Sequence, residues 1–217
     1  MKILSIETSG KTFSTALNEN DKTIASSYYE YGHIHSEIII TAIERLLKDT
    51  NNSFENIDKF ALSVGPGSFT GIRVAMTAIK TFAQVLNKQV VAIDTLSILE
   101  ASLPKIKGIK VISTIDALRN EVYIKKGKKI IIKNIDSFIR SLKTYKNKVI
   151  IIGNAAIVYK EELSKGLGSL SVSLPEIMHM PKASVLANLA YKSKNNLSYN
   201  KVQPLYIRKS WAEESKK

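Results

Sequence analysis

The sequence contains no cysteine. That excludes a disulfide framework and any thiolate-held zinc or iron–sulfur centre. Histidine is nearly as scarce, with three in 217 residues. His33 and His35 stand two apart and His179 stands alone. A metal set built from His33, His35 and Glu37 needs alternate residues of one strand, yet His35 falls where a helix begins. Ser36 beside either histidine has no assignable carboxylate to orient a nucleophile pair. No apolar run approaches the roughly 20 residues that cross a bilayer. The opening Met1-Lys2-Ile3-Leu4-Ser5-Ile6-Glu7 meets a carboxylate too early for a signal-peptide core. These absences lead us to expect a soluble, cytoplasmic chain without a membrane partner or metal.

Positive charge is what the chain has in excess. The net charge is +13, and it is unevenly spread. Residues 1–104 carry 9 Lys/Arg against 11 Asp/Glu, whereas residues 105–217 carry 23 against 8. A basic half of this kind suits a polyanion, because clustered cations release the counterions of a phosphate backbone. A compositional bias toward lysine, isoleucine and asparagine gives the same numbers with solvated lysines. No compact RNA-binding signature decides between the two.

The pattern along the chain repeats. Residues 2–8 read as a buried strand, 12–17 and 22–29 as a hairpin, 35–49 as a helix, 59–64 as a strand, 70–86 as a long helix and 90–93 as a strand. In the second half, residues 110–117 read as the matching strand, 121–125 and 129–133 as a hairpin, 136–145 as a helix and 148–153 as a strand. A helix over 183–193 closes the chain. Two copies of about 100 residues are too few for a solenoid and suit paired lobes of mixed sheet and helices. We expect a lobe at 1–104 and a smaller basic lobe at 105–217, with a tail from Ser210.

Two segments carry candidate chemistry. In Ser63-Val64-Gly65-Pro66-Gly67-Ser68-Phe69-Thr70-Gly71 three glycines and a proline fall in seven residues. Without a lysine it is no Walker A loop, and its glycine spacing is not that of a dinucleotide fingerprint. It stops a strand and starts a helix, which Ser68 or Thr70 caps, and an anion could sit at that helix start. The other segment is Glu7-Thr8-Ser9-Gly10, where small residues let backbone N–H groups approach an anion. Glu7, Thr8, Ser9, Gly65 and Gly67 are therefore the candidate phosphate-binding positions, against the plain alternative of a hairpin turn. Similar lobes opening on a strand that ends in an acid and a small residue resemble the actin-like ATPases and sugar kinases. The fold expected is α/β: a duplicated, two-lobed actin-like ATPase (ribonuclease H-like) fold of mixed sheets flanked by helices. In that superfamily such turns touch nucleotide phosphates between the lobes. The second counterpart, Asp116-Ala117-Leu118-Arg119, lacks glycine and hydroxyl, which weakens an ATP-hydrolysing cleft.

A closer resemblance is to the TsaB (YeaZ) family of tRNA threonylcarbamoyladenosine synthesis. It rests on residues 64–73, on Ile6-Glu7-Thr8-Ser9 (with Glu for the commoner Asp), on His35-Ser36, on Ile115-Asp116-Ala117 followed by Arg119 and Glu121-Val122-Tyr123, and on Pro204-Leu205-Tyr206-Ile207-Arg208. The resemblance implies an accessory paralogue of the transferase TsaD, which modifies the adenosine beside the anticodon of ANN-decoding tRNAs. TsaD carries a metal-binding His-x-x-x-His where this chain has the histidine-free stretch from Val91 to Glu100. It also implies docking on TsaD in a heterodimer, work with TsaE and TsaC, a homodimer in isolation, and tRNA met through the complex. No cofactor is expected of this chain alone; ATP or ADP would sit at the complex interface. Two helices are apolar over more than one stripe, which points to a partner face at His35, Ile39, Ile43, Leu46, Ile72, Ala75, Met76 and Ile79. Burial of both helices within one chain is the alternative. An actin-like ATPase or kinase, a glycopeptidase-like hydrolase and a free-standing RNA-binding protein are the rival functions.

Overall fold

The computed structural model describes residues 1–30 and 36–208. Its elements run β1 (Lys2–Glu7), β2 (Thr12–Glu19), β3 (Lys22–Glu30), α1 (Ser36–Asp49), β4 (Lys59–Ser63), α2 (Phe69–Val85), β5 (Gln89–Ile93) and α3 (Thr95–Ala101). They continue with β6 (Ile109–Asp116), β7 (Glu121–Lys126), β8 (Lys129–Asn134), α4 (Ile135–Leu142), β9 (Lys148–Ile152), α5 (Asn154–Val158), α6 (Lys160–Leu167), β10 (Ser171–Val172) and α7 (Ala183–Lys192). Short 3-10 turns fill some connections.

Two five-stranded sheets form, ordered β3-β2-β1-β4-β5 and β10-β9-β6-β7-β8. Read in the opposite direction, β8-β7-β6-β9-β10, the second order repeats the first position by position. An opening strand pairs antiparallel with its hairpin on one side and parallel with a later strand on the other. The duplication expected from sequence is thus a duplication of topology, and the chain has the two-lobed actin-like ATPase fold. The central strand β1 is buried from Ile3 to Glu7, as a strand covered on both faces must be. The edge strand β3 alternates exposed and half-buried residues.

Helices α1 and α2 cover one face of the first sheet. Their Ile39, Ile43, Leu46, Ile72, Ala75, Met76 and Ile79 join Leu4, Ile6, Phe13, Phe60 and Leu62 in the largest core cluster. The opposite face holds Ile3, Ala61 and Val91 against Leu186, Ala187 and Ala190 of α7. Although α7 follows the second sheet in sequence, it lies on the first. Ser5 Oγ donates to the Ala183 carbonyl at 2.8 Å, and the Ala183 N–H donates to Ser14 Oγ at 2.9 Å. Between the sheets α3 faces both ways, with Ile98 toward the first and Leu96 and Leu99 toward Ile115 and Ile152 of the second. In the second lobe α4, α5 and α6 cover the outer face through Phe138, Ile139, Leu142, Ala155, Leu163 and Leu167.

His179 is buried in the second lobe. Its Nδ1 accepts the Gly153 N–H at 3.2 Å, and burial lowers its pKa from the ordinary 6.5. The unfolded chain therefore binds the proton more readily than the native one. This contribution to stability is present above pH 6.5 and is lost as pH falls below it. The expected result is a stability difference between wild type and His179→Gln, read by urea unfolding, that shifts in the wild type's disfavour between pH 7 and pH 5.5. Among the described residues no helix is long and apolar enough to cross a membrane.

Candidate functional site

The Gly-Pro-Gly loop links β4 to α2 and lies directly against the turn between β1 and β2. Ser68 N–H donates to the Ser9 carbonyl at 2.7 Å, and Thr8 Oγ1 donates to the Gly71 carbonyl at 2.8 Å. The approach is closer than any side chain allows. A Cβ on Gly67 would lie 2.1 Å from the Ser9 carbonyl oxygen, and one on Gly71 would lie 2.2 Å from that of Thr8. Gly67 also sits at φ +151°, where an L side chain is strained. The glycines are there because two backbones touch. The second lobe repeats the device, since a Cβ on Gly153 would meet the Thr114 carbonyl oxygen at 1.9 Å.

The structure brings Glu7, Thr8, Ser9 and Gly67 together, with Gly65 two residues before Gly67 in the same loop, and the donors of Ser9 are taken by Glu7. Ser9 N–H donates to Glu7 Oε1 at 2.9 Å, Ser63 Oγ donates to it at 2.8 Å, and Ser9 Oγ makes a short contact with the same oxygen. Gly71 N–H is taken by the capping hydroxyl of Ser68 at 3.2 Å. Leu205 N–H binds the Val64 carbonyl at 2.8 Å, laying the C-terminal motif across the loop. Glu7 is fully buried, its Oε2 has no hydrogen-bond partner, and desolvation pushes its pKa up to about 7. A carboxyl that ionises near neutrality at this point opposes an incoming anion.

Sequence reading missed how the two signature segments meet. Arg73 Nε and Nη2 donate to Tyr206 Oη at 3.1 and 2.9 Å, and the guanidinium carbon lies 3.7 Å from the centre of the exposed Phe69 ring. Arg208 reaches the second lobe, donating to the Ala117 carbonyl at 2.9 Å and pairing with Glu121. The segment from Pro204 to Arg208 straps the β4–α2 loop to the Ala117–Glu121 turn. Nothing but the shared family pattern of the two segments could have joined residues 133 positions apart.

The proposed partner face needs correction. Ile39, Ile43, Leu46, Ile72, Ala75, Met76 and Ile79 are all 6% exposed or less, so they form core, and of these only Ile39 borders the outward groove. His35 lies outside the described residues. What the two helices present outward is a groove of about 420 Å³ lined by Ile39, Ile40, Arg73, Val74, Thr77, Ala78, Thr81 and Phe82. Thr77 and Thr81 donate back to the carbonyls of Arg73 and Thr77, both at 3.0 Å. Their methyls and the apolar neighbours therefore make a face with few unsatisfied polar groups.

Residues 29–215 match the family model for TsaD, tRNA N6-adenosine threonylcarbamoyltransferase. The chain belongs to that family. Within it the similarity is to TsaB/YeaZ proteins. It is 29% identical to the tRNA threonylcarbamoyladenosine biosynthesis protein TsaB of Bacillus subtilis, over 98% of this chain and 96% of that one. It is 24% identical to the Haemophilus influenzae TsaB, over 96% and 94%. Among solved structures it resembles a Pseudomonas aeruginosa protein described as similar to peptidase YEAZ, with a TM-score of 0.77 and 21% identity over 95% and 99% of the two chains. The ethanolamine utilization protein EutJ of Carboxydothermus hydrogenoformans shares the fold at a TM-score of 0.55 and 11% identity, over 87% and 90%.

Proposed function

We propose that this chain is the non-catalytic, accessory subunit that docks on TsaD, together with TsaE, so that TsaD can threonylcarbamoylate the adenosine beside the anticodon of ANN-decoding tRNAs. The observation that carries the reading is the outward groove on α1 and α2. It is apolar, its threonine hydroxyls are turned inward, and Ala78 leaves room for another helix to approach. Such a face on a small chain is a docking surface by its chemistry. A second copy of the chain would cover the same face, so self-association and TsaD binding compete for it. The residues that replace the TsaD metal motif also support a helper role. Around Val91 to Glu100 they are largely core, with Leu96, Ile98 and Leu99 buried, and they include no imidazole to hold a metal. Nucleotide in this reading belongs to the junction between subunits and not to the Gly-Pro-Gly loop.

Thr77→Glu tests the docking face, because Thr77 is exposed and the variant is expected to fold. A carboxylate there must be desolvated without a partner when the groove is covered. We expect TsaD affinity to fall at least tenfold, by about 1.4 kcal/mol or more, with the melting temperature unchanged. Titration calorimetry that gives equal affinities for variant and wild type would place docking elsewhere.

A further inference from the structure

Nine of the 23 basic residues of the second half gather at one end of one sheet. Sequence order hides this, and strand register reveals it. Ile109 at the start of β6 pairs with Lys148 at the start of the parallel β9. The connections entering these neighbouring strands carry Lys105 and Lys107 on one and Lys143 and Lys146 on the other. Strand β7 runs antiparallel to β6, so it finishes at this same end, where Lys126 pairs with Lys129 across the hairpin turn holding Lys128. Lys110 completes the set. Three chain segments thus deliver nine lysines, all exposed, to one edge.

The acids of the lobe lie at the other end. Asp116 ends β6, Glu121 begins β7, and Asp136 opens α4 beside Asn120. Glu161 and Glu162 follow Tyr159, whose hydroxyl donates to Asp116 at 3.0 Å. Glu176 precedes His179, which binds Gly153 just beyond the end of β9. Among the described residues none of the nine lysines makes an ion pair; the lobe's pairs are Lys125–Asp94, Lys165–Glu161 and Arg208–Glu121. A solvated lysine-rich surface would normally intersperse its acids for solubility. This one separates them, and it places Ile106 and Tyr145, 43% and 41% exposed, among the cations.

We infer that this end of the second sheet is a contact surface for the phosphodiester backbone of RNA. Four adjacent strand ends at about 4.8 Å spacing make an edge roughly 15 Å wide, a breadth that meets several phosphates at once. Lysines on flexible stems suit phosphates without reading sequence, and an exposed tyrosine between them gives a stacking face for an unpaired base. The lysines come from loops and strand ends and not from one face of an amphipathic helix, and only two apolar side chains accompany them. RNA therefore fits better than an anionic membrane. The inference rests on the proposed role in tRNA modification and adds where this chain would touch the RNA.

The test uses the full chain and an unmodified, fluorescently labelled tRNA, with anisotropy followed across a KCl series. Two charge-reversed triples probe the edge: Lys126→Glu with Lys128→Glu and Lys129→Glu, and Lys143→Glu with Lys146→Glu and Lys148→Glu. A control triple, Lys192→Glu with Lys194→Glu and Lys201→Glu, changes net charge equally at exposed positions elsewhere. We expect each edge triple to weaken binding at least tenfold near 100 mM KCl, and to flatten the salt slope by about 0.7–0.9 per lost phosphate contact. The control should change affinity less than about threefold. Equal weakening by all three triples would overturn the inference, since net charge alone would then act. So would binding of the wild type to phosphatidylserine vesicles but not to tRNA. If the edge triples bind tRNA normally while modification still requires this chain, only the surface falls. If modification never required this chain, the proposed role falls instead.

Discussion

Gly67→Ala is expected to cost more than 3 kcal/mol, about the scale of a severe core lesion, and to leave little folded protein at 37 °C. The added methyl would sit 2.1 Å from the Ser9 carbonyl oxygen, a backbone atom held in place by the Ser68 N–H. Neither backbone can retreat without separating α2 from the β1–β2 turn, which breaks the Thr8–Gly71 and Ser9–Ser68 hydrogen bonds together. Gly10→Ala is the matched control. Its new methyl would find no atom nearer than 3.8 Å, so less than about 0.5 kcal/mol is expected. Urea unfolding of both variants checks the pair. A Gly67→Ala protein of native stability would mean that the loop is looser than described and that its glycines serve a ligand.

The second large effect is a pH dependence set by Glu7. Its pKa rises from 4.5 to about 7 on folding because burial penalises the charged form, against the three donors from Ser9 and Ser63 that favour it. The native state holds this proton more tightly than the unfolded state. The contribution to stability is therefore complete below pH 4.5 and is lost as pH rises through 7. At 1.36 kcal/mol per pH unit the loss is about 3 kcal/mol across that window. Glu7→Gln cannot ionise, so the stability of the wild type relative to the variant should fall by about 2–3 kcal/mol between pH 5 and pH 8. Comparing the difference between the two proteins at each pH removes the opposing histidine contribution. A difference between the two proteins that stays constant with pH would show that Glu7 is solvated or paired.

Much of the fold was legible because its strands are long apolar runs and its two main helices are strongly patterned. The expected strand at 2–8 is β1, and the helices expected at 35–49 and 70–86 are α1 and α2 with ends shifted by a residue. The short elements were not legible. Helix α6 reads as a charged connector, since only Leu163 and Leu167 anchor it; β10 has two residues; and α3 begins on an Asp94 cap that a loop would carry as readily. At the site, the sequence offers Glu7, Ser9 and Gly67 as phosphate-binding positions in two separate segments, and their mutual contact was not legible: glycine permits both a phosphate and a neighbouring backbone. The partner face failed for a more general reason. The most apolar residues of a helix are the ones its own core takes first, so Ile43 and Ile79 went inside. The outward face was left to residues of milder character, such as Val74, Thr77 and Ala78. Hydrophobicity alone selects the first set.

The central claim is that this chain enables chemistry performed by another, and a drop-out modification assay tests it most directly. Unmodified tRNA, ATP, threonine and bicarbonate are incubated with TsaC, TsaD and TsaE, with and without this chain, and then with this chain but without TsaD. Threonylcarbamoyladenosine is measured by mass spectrometry of the digested tRNA. The account predicts product only when both this chain and TsaD are present. Equal product without this chain would contradict it.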